Sequence, residues 1–221
     1  MNLRTTLLIM MLTVVALTGC SSGGDDTPVV PTVPDTPAEF TARGWQYFES
    51  NNYSDALADF NSALALLPDY GQALSGRGWC ELKLAVDSAG LTASVAAFTA
   101  AMMVDEDTSE VFAGRASALL ALGGDNLDVA SSNAYGVAMN DPSFVFSHQQ
   151  SIDTKDMFLI SAFAEAGMGD FNSALYQADL IEVSGIEADY PETWLVAGTS
   201  YSSFNASVLA RLHQLSEQYS G

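Results

Sequence analysis

The sequence predicts an all-α domain built from about five repeated helical hairpins, some of them degenerate. From Pro37 onward the chain is rich in alanine, and its apolar residues recur at the spacing of one helix face. The tripeptide Arg-Gly-Trp stands at residues 43–45 and again at residues 77–79, 34 residues later. A fixed period of this length is typical of stacked repeats, in which each unit buries its apolar face against the next.

The first unit combines small and large residues where two packed helices need them. Small residues let the paired helices approach closely, and large residues fill the space between neighbouring pairs. The set consists of Phe40, Gly44, Tyr47, Tyr53, Ala56, Leu57, Phe60, Ala63, Leu64 and Pro68. This spacing resembles the tetratricopeptide repeat, a helix-turn-helix unit with a period of 34 residues. The resemblance implies a tetratricopeptide-type solenoid over residues 39–221, and the composition of the residues before it predicts a signal peptide and a disordered tether.

The later units match this pattern less completely. The second has a few extra residues around Asp87, between its two helices. The third predicts helices over residues 109–122 and 127–139, and a longer connection, residues 143–154, separates it from the fourth. The fourth matches well in its turn and second helix.

The last part of the chain is compatible with a fifth repeat or with a capping element. Residues 194–201 reproduce the Trp, Gly and Tyr spacing of a first helix. Two β-branched residues, Val196 and Thr199, disfavour helix there. Residues 206–219 place three leucines on one stripe and predict a closing helix.

The first twenty residues have the composition of an export signal. Arg4 precedes an apolar run from Leu7 to Leu17, which is shorter than the roughly 20 residues that span a bilayer. The sequence Leu-Thr-Gly-Cys at residues 17–20 resembles the lipobox of bacterial lipoproteins. The resemblance implies that residues 1–19 are a removed signal peptide and that Cys20 is acylated and binds the lipid bilayer. An ordinary secretory signal and a short uncleaved anchor are the alternatives.

Residues 20–38 are expected to form a tether between the lipid and the repeats. They are rich in Pro, Gly and Ser, a composition that buries too little apolar surface to fold. The residue after the cysteine is Ser21 and not Asp, which in lipoproteins of this type implies the outer membrane, on its periplasmic face or at the cell surface. With Cys20 acylated, Cys80 has no intramolecular partner, so we expect a buried core thiol.

Composition excludes several classes of function. The chain has 27 acidic and 7 basic residues, and its formal net charge of −20 excludes nucleic acid as a partner. His148, expected to be exposed in the long connection, and His213 lie far apart and have no ligand at a metal-binding spacing. No catalytic constellation or cofactor motif is found, so no enzyme, metal or cofactor is predicted. Residues 105–107 with Glu110 could hold a divalent cation, but they lack the pattern of an EF-hand.

The resemblance also indicates where a partner would bind. In tetratricopeptide proteins, the residue after the conserved glycine of each first helix faces the concave side. Carried over to this chain, that rule predicts a groove lined by Trp45, Phe48, Trp79, Leu82, Lys83 and Arg115. Tryptophan and arginine are frequent in binding hot spots. The alternative is that both tryptophans pack between repeats.

The function that follows is a membrane-anchored scaffold or adaptor that binds an unidentified protein or peptide through this groove. The alternative function is a surface lipoprotein that binds a glycan or another small ligand, because sugar rings also stack on indoles.

Overall fold

The computed structural model describes residues 36–104, 106 and 108–219, and helices dominate them. Within these residues there are nine α-helices: α1 (Pro37–Glu49), α2 (Tyr53–Leu66), α3 (Gly71–Leu84), α4 (Ser88–Met103), α5 (Ser109–Leu122), α6 (Leu127–Asn140), α7 (Thr154–Met168), α8 (Phe171–Ile181) and α9 (Phe204–Tyr219). The two strands, β1 (Leu195–Val196) and β2 (Thr199–Ser200), form one short antiparallel hairpin. No described helix is long and apolar enough to cross a membrane.

The helices pack as a series of hairpins. Each helix from α1 to α8 contacts the next one along the chain, and the first helices of successive hairpins, α1, α3, α5 and α7, also contact each other in order. Contacts limited to neighbouring units are the defining property of a solenoid. The predicted fold class, an all-α tetratricopeptide-type solenoid, is therefore confirmed, and its described part comprises four hairpins followed by α9.

The solenoid begins with a well-capped helix. The Thr36 hydroxyl accepts a hydrogen bond from the Glu39 backbone N–H at 3.2 Å, and the Glu39 carboxylate accepts one from the Thr36 N–H at 3.2 Å. This capping box, with Pro37 in the first turn, starts α1 two residues before the expected boundary at residue 39. The predicted signal peptide, Cys20 and nearly all of the tether lie outside the described residues.

Two phenylalanines on second helices act as wedges between first helices. A Cβ atom built on Gly44 of α1 or Gly76 of α3 would lie 2.9 or 2.3 Å from the ring of Phe60 on α2. Likewise, a Cβ atom on Gly78 of α3 or Gly114 of α5 would lie 2.9 or 2.3 Å from the ring of Phe98 on α4. Both rings are fully buried, so glycine is needed on either side of each wedge.

The wedges fix the register of the third hairpin. Gly114 contacts Phe98 of the preceding hairpin, as Gly76 contacts Phe60. Gly114 is therefore equivalent to Gly76, and Ala116 takes the position that Gly44 and Gly78 occupy in the first two hairpins. The prediction of Arg115 as a groove residue treats Gly114 as the equivalent of Gly44 and Gly78. That register is wrong by two residues.

The end of the solenoid is a capping element. Residues 194–201 are not helical: Leu195 pairs with Ser200 and Val196 with Thr199. The turn between the strands has positive φ at Ala197 (48°) and Gly198 (79°), as a two-residue hairpin turn requires. Of the two alternatives that the sequence leaves open, the capping element is the one observed, because β-branched residues and this turn outweigh the Trp-Gly-Tyr spacing.

The predicted closing helix is confirmed as α9. It packs against α7 and α8 through Val208, Leu212 and Leu215, all fully buried. Cys80 on α3 is the buried thiol that was expected. Burial, and secondly the charge of Glu81, raises the pKa of Cys80 to about 12, so the thiol stays protonated and unreactive at neutral pH.

Two glycine substitutions test the wedge model. Gly76→Ala places a methyl group against Phe60 and should lower the free energy of unfolding by about 1–3 kcal/mol, the usual cost of overpacking. Gly136→Ala, on α6, meets no atom within 4 Å and should raise it by about 0.5–1 kcal/mol through helix propensity. Urea denaturation followed by circular dichroism measures both, and equal effects would contradict the model.

Candidate binding groove

The connection between α6 and α7 is an ordered hairpin-like segment, residues 143–153, which we call the insertion hairpin. The Phe146 N–H donates to the Ile152 carbonyl at 2.9 Å, and the Thr154 N–H donates to the Phe144 carbonyl at 3.1 Å. Val145 and Asp153 form an antiparallel bridge. These bonds hold residues 144–146 extended and close the segment at its base, where α7 begins. Residues 147–148 form a turn, which the Gln149 N–H closes by donating to the Phe146 carbonyl at 3.1 Å.

The insertion hairpin places an aromatic ring between α1 and α3. Phe146 is fully buried and stacks on Trp79, with ring centroids 4.2 Å apart and planes 16° apart. Its ring also meets Trp45 and Phe48 edge to face, at 6.1 and 5.9 Å. Aromatic pairs favour these offset-stacked and edge-to-face geometries. Four rings thus form one cluster in which Phe146 is the ring from outside the first two repeats.

His148 makes a second contact with α1. Its ring stacks on Trp45 with centroids 3.8 Å apart and planes 4° apart, and its Nδ1 lies 2.8 Å from the Glu49 carboxylate. The expectation that His148 is exposed was wrong, since only 23% of its side chain is accessible. An indole face and a carboxylate, supplied by residues about 100 positions away, replace water around the imidazole.

A third contact reaches α5. The Ser147 backbone N–H donates to the Glu110 carboxylate at 2.9 Å. We call the surface of α1, α3 and α5 that receives the insertion hairpin the groove, with Trp45, Phe48, Glu49, Trp79 and Glu110 as its contact residues. The hairpin therefore crosses three consecutive first helices.

The two tryptophans lie between the wedges and the insertion hairpin. Trp45 and Trp79 are on the side of the first helices that receives this hairpin, and neither is a free groove surface. Trp79 is 1% exposed and Trp45 is half-buried, because the insertion hairpin covers them. Each also meets the wedge of its own repeat edge to face, Trp45 with Phe60 at 5.0 Å and Trp79 with Phe98 at 5.6 Å. Phe48 is equally enclosed, at 2% exposure.

Arg115 is a correction to the predicted groove. Its Nη1 donates to the Asn133 side-chain oxygen on α6 at 3.1 Å. Arg43 makes the equivalent contact within the first hairpin, where two of its nitrogens donate to Asp59 on α2 at 2.6 and 2.5 Å. The register shift in α5 explains the error, because Arg115 corresponds to Arg43 and not to Trp45. Arg115 therefore joins the two helices of its own hairpin.

Ser117 is the residue that takes the groove-facing position of α5. It lines a cavity of about 250 Å³ together with Ile152 of the insertion hairpin and Phe163 of α7. The sequence analysis missed it because Gly114 resembles the conserved glycine more closely than Ala116 does. Lys83 is half-buried in the last turn of α3, and burial lowers the pKa of its ammonium group.

A second cavity lies beside the tip of the insertion hairpin. Its volume is about 210 Å³, and Trp45 and His148 line it together with Glu106 and Glu110. Burial, and secondly the charge of Glu110, raises the pKa of Glu106 above its ordinary value. The cavity thus joins an indole to two carboxylates, which favours cationic groups.

Asp105 and Asp107, part of the acidic cluster considered for a divalent cation, lie outside the described residues. Among the residues that are described, no three possible ligands of the His, Cys, Asp and Glu types come together. The alternative of a divalent cation at this cluster is therefore untested.

The stacking of His148 on Trp45 can be tested by substitution. His148→Ala removes two ring contacts, with Trp45 and with Phe146, and should lower the free energy of unfolding by about 1 kcal/mol. It should also increase quenching of tryptophan fluorescence by acrylamide, because the face of Trp45 becomes accessible. Gln150→Ala, at an exposed neighbouring position, is the control and should change neither quantity. Unchanged quenching in His148→Ala would contradict the stacked arrangement.

No protein-family model and no curated protein sequence matches the chain. Several solved structures resemble it, among them two crystal structures of tetratricopeptide-repeat proteins. A thermophilic TPR protein from Thermus thermophilus has a TM-score of 0.51 at 14% identity, over 80% of this chain and 81% of that one. A tetratricopeptide repeat protein from Parabacteroides merdae has a TM-score of 0.50 at 15% identity, over 83% of this chain but only 64% of that one. At this identity the likeness concerns fold alone, and the chain has the tetratricopeptide-repeat fold.

Proposed function

We propose that the protein is a binding scaffold that holds an extended segment of a partner protein in the groove of α1, α3 and α5. The observation that supports this proposal is that the groove already holds a segment of its own chain, extended over residues 144–146 and turning at residues 147–148. Side chains of that segment alternate: Phe144 and Phe146 are buried, whereas Val145 and Ser147 are exposed. Alternating pockets are how proteins recognise extended peptides.

The contacts favour a peptide over a glycan. Glu110 accepts a backbone N–H from the insertion hairpin, a contact that any peptide can provide at the same place. The groups that stack on the indoles are a phenyl ring on Trp79 and an imidazole on Trp45, which a peptide can supply and a sugar cannot. The alternative function, binding of a glycan or small ligand, is therefore the weaker proposal. Ring faces and carboxylates placed in this way support binding and not catalysis.

Charge indicates the electrostatic character of the partner. The groove and the adjacent cavity contain Glu49, Glu106 and Glu110, and the whole chain has a formal net charge of −20. Opposite charge steers association and suppresses unsuitable partners. The partner segment is accordingly neutral or basic where it meets the groove.

The proposal includes a lipid anchor, which is supported by the sequence alone. The Leu-Thr-Gly-Cys motif at residues 17–20 supports acylation of Cys20, and the Pro- and Gly-rich residues 20–38 support a tether. The scaffold would then stand at the bacterial outer membrane, on its periplasmic face or at the cell surface. Several acyl chains are needed to hold a protein stably on a bilayer.

Site-specific photocrosslinking in cells that make the protein tests the scaffold function. A photoreactive amino acid at Gln72, an exposed residue of α3 that lines the cavity at the hairpin tip, should give a discrete crosslinked protein adduct. The same group at Asn61, an exposed residue of α2, is the matched control and should not. Adducts at both positions, or at neither, would count against binding in the groove.

Fractionation of cells tests the anchor. Cys20→Ser should move the protein from the membrane fraction to the soluble fraction, because no acyl chain can be added. Cys80→Ala changes the other cysteine, which is buried, and should leave the protein in the membrane fraction. Membrane association of Cys20→Ser at the wild-type level would exclude the lipid anchor.

A further inference from the structure

Building on the proposed function, we propose that the insertion hairpin is an internal occupant of the groove that a partner must displace. The displacing segment has an aromatic residue and, two positions later, a histidine or arginine. In this view the free protein is self-inhibited.

Three contacts define what the displacing segment must supply. An aromatic ring takes the place of Phe146 on Trp79. The next backbone N–H donates to Glu110, as that of Ser147 does. A flat, hydrogen-bonding group takes the place of His148, stacking on Trp45 and reaching Glu49. Arginine meets the last requirement as well as histidine does, since a guanidinium stacks on indoles and pairs with carboxylates.

The docked hairpin is imperfectly satisfied, which makes displacement feasible. The indole N–H of Trp79 is buried and has no hydrogen-bond partner, although the ring stacks on Phe146. The side-chain oxygen of Gln149, in the hairpin itself, is likewise buried and unpaired. Unpaired buried polar groups weaken the state that contains them. Release of the hairpin returns the Gln149 oxygen to water.

The insertion hairpin can leave without separating the helices that it connects. α6 and α7 pack directly on each other, and the Ser131 hydroxyl on α6 contacts Ser161 at 3.0 Å and Glu165 at 2.6 Å on α7. At the start of α7, the Asp153 carboxylate and the Asp156 carboxylate form a capping box. These contacts do not involve the groove, so displacement exchanges one occupant for another and leaves the four hairpins in place.

Competition of this kind has a quantitative signature. The hairpin is covalently attached, so it competes at a high effective concentration. A ligand then binds with an affinity reduced by the fraction of molecules whose groove is open. Substitutions that weaken only the hairpin side of the contact raise that fraction, and they should strengthen binding of a competing peptide without altering the groove.

The test is binding of a fluorescein-labelled peptide with the sequence of residues 143–152 to the full chain, measured by fluorescence anisotropy. Phe146→Ala and His148→Ala change only the hairpin. Phe146→Ala should bind the peptide at least about tenfold more tightly than wild type does, and His148→Ala about fivefold more tightly. Val145→Ala, at a residue that points away from the groove and is 47% exposed, is the control and should behave as wild type. An unlabelled peptide of the same sequence, with alanine at the position that corresponds to Phe146, should not displace the labelled peptide.

Equal affinity for wild type and both variants would overturn the proposal, as would the absence of binding to variants that retain the wild-type helical circular dichroism. If Phe146→Ala fails to fold, His148→Ala still tests the proposal, because it keeps the buried ring of Phe146. Dimers formed by exchange of the insertion hairpin between two copies, detected by light scattering, would also overturn it. If Gln72 crosslinks a partner in cells while the peptide fails to bind, this inference fails and the proposed scaffold function stands.

Discussion

The structure depends on the close approach of first helices to the rings of Phe60 and Phe98. Glycine on both sides of each ring lets α1, α3 and α5 pack around two aromatic wedges. The residue that follows Gly44 or Gly78 then meets the edge of the wedge, which orients Trp45 and Trp79. The same two indoles receive the insertion hairpin on their other side. Core packing and the groove are therefore one continuous aromatic system.

The sequence predicted those features that are set within a single repeat. The helical period, the bounds of α5 and the burial of Cys80 follow from local spacing and composition. Arg115 was misplaced because two small residues, Gly114 and Ala116, lie two positions apart, and only the contact with Phe98 decides which one matches Gly44. The presence of a glycine could not decide between these two registers. The position equivalent to Gly44 is defined by its close contact with a wedge, which alanine can also make.

The docking of the insertion hairpin could not be predicted from the sequence. Repeats reveal contacts between neighbours, whereas Phe146 and His148 meet residues of α1 about 100 positions earlier. The alternation of buried and exposed residues over 144–147 is the one local signal that was present, and it is too short to distinguish a docked strand from a loop. The hairpin of β1 and β2 was equally hard to predict from local sequence. Its turn depends on positive φ at Ala197 and Gly198, in a span whose residue spacing resembles that of a helix.

The position of the insertion hairpin in the chain has a consequence for folding cooperativity. A stack of repeats behaves as a one-dimensional array, which unravels from its ends because each unit is stabilised only by its neighbours. The insertion hairpin emerges between the third and fourth hairpins yet docks on the first and second. It therefore acts as a long-range crosslink that couples opposite ends of the array, so fraying of α1 carries the cost of undocking Phe146 as well. An occupied groove would lose this crosslink, and the chain would then unfold as an ordinary repeat array, one unit after another.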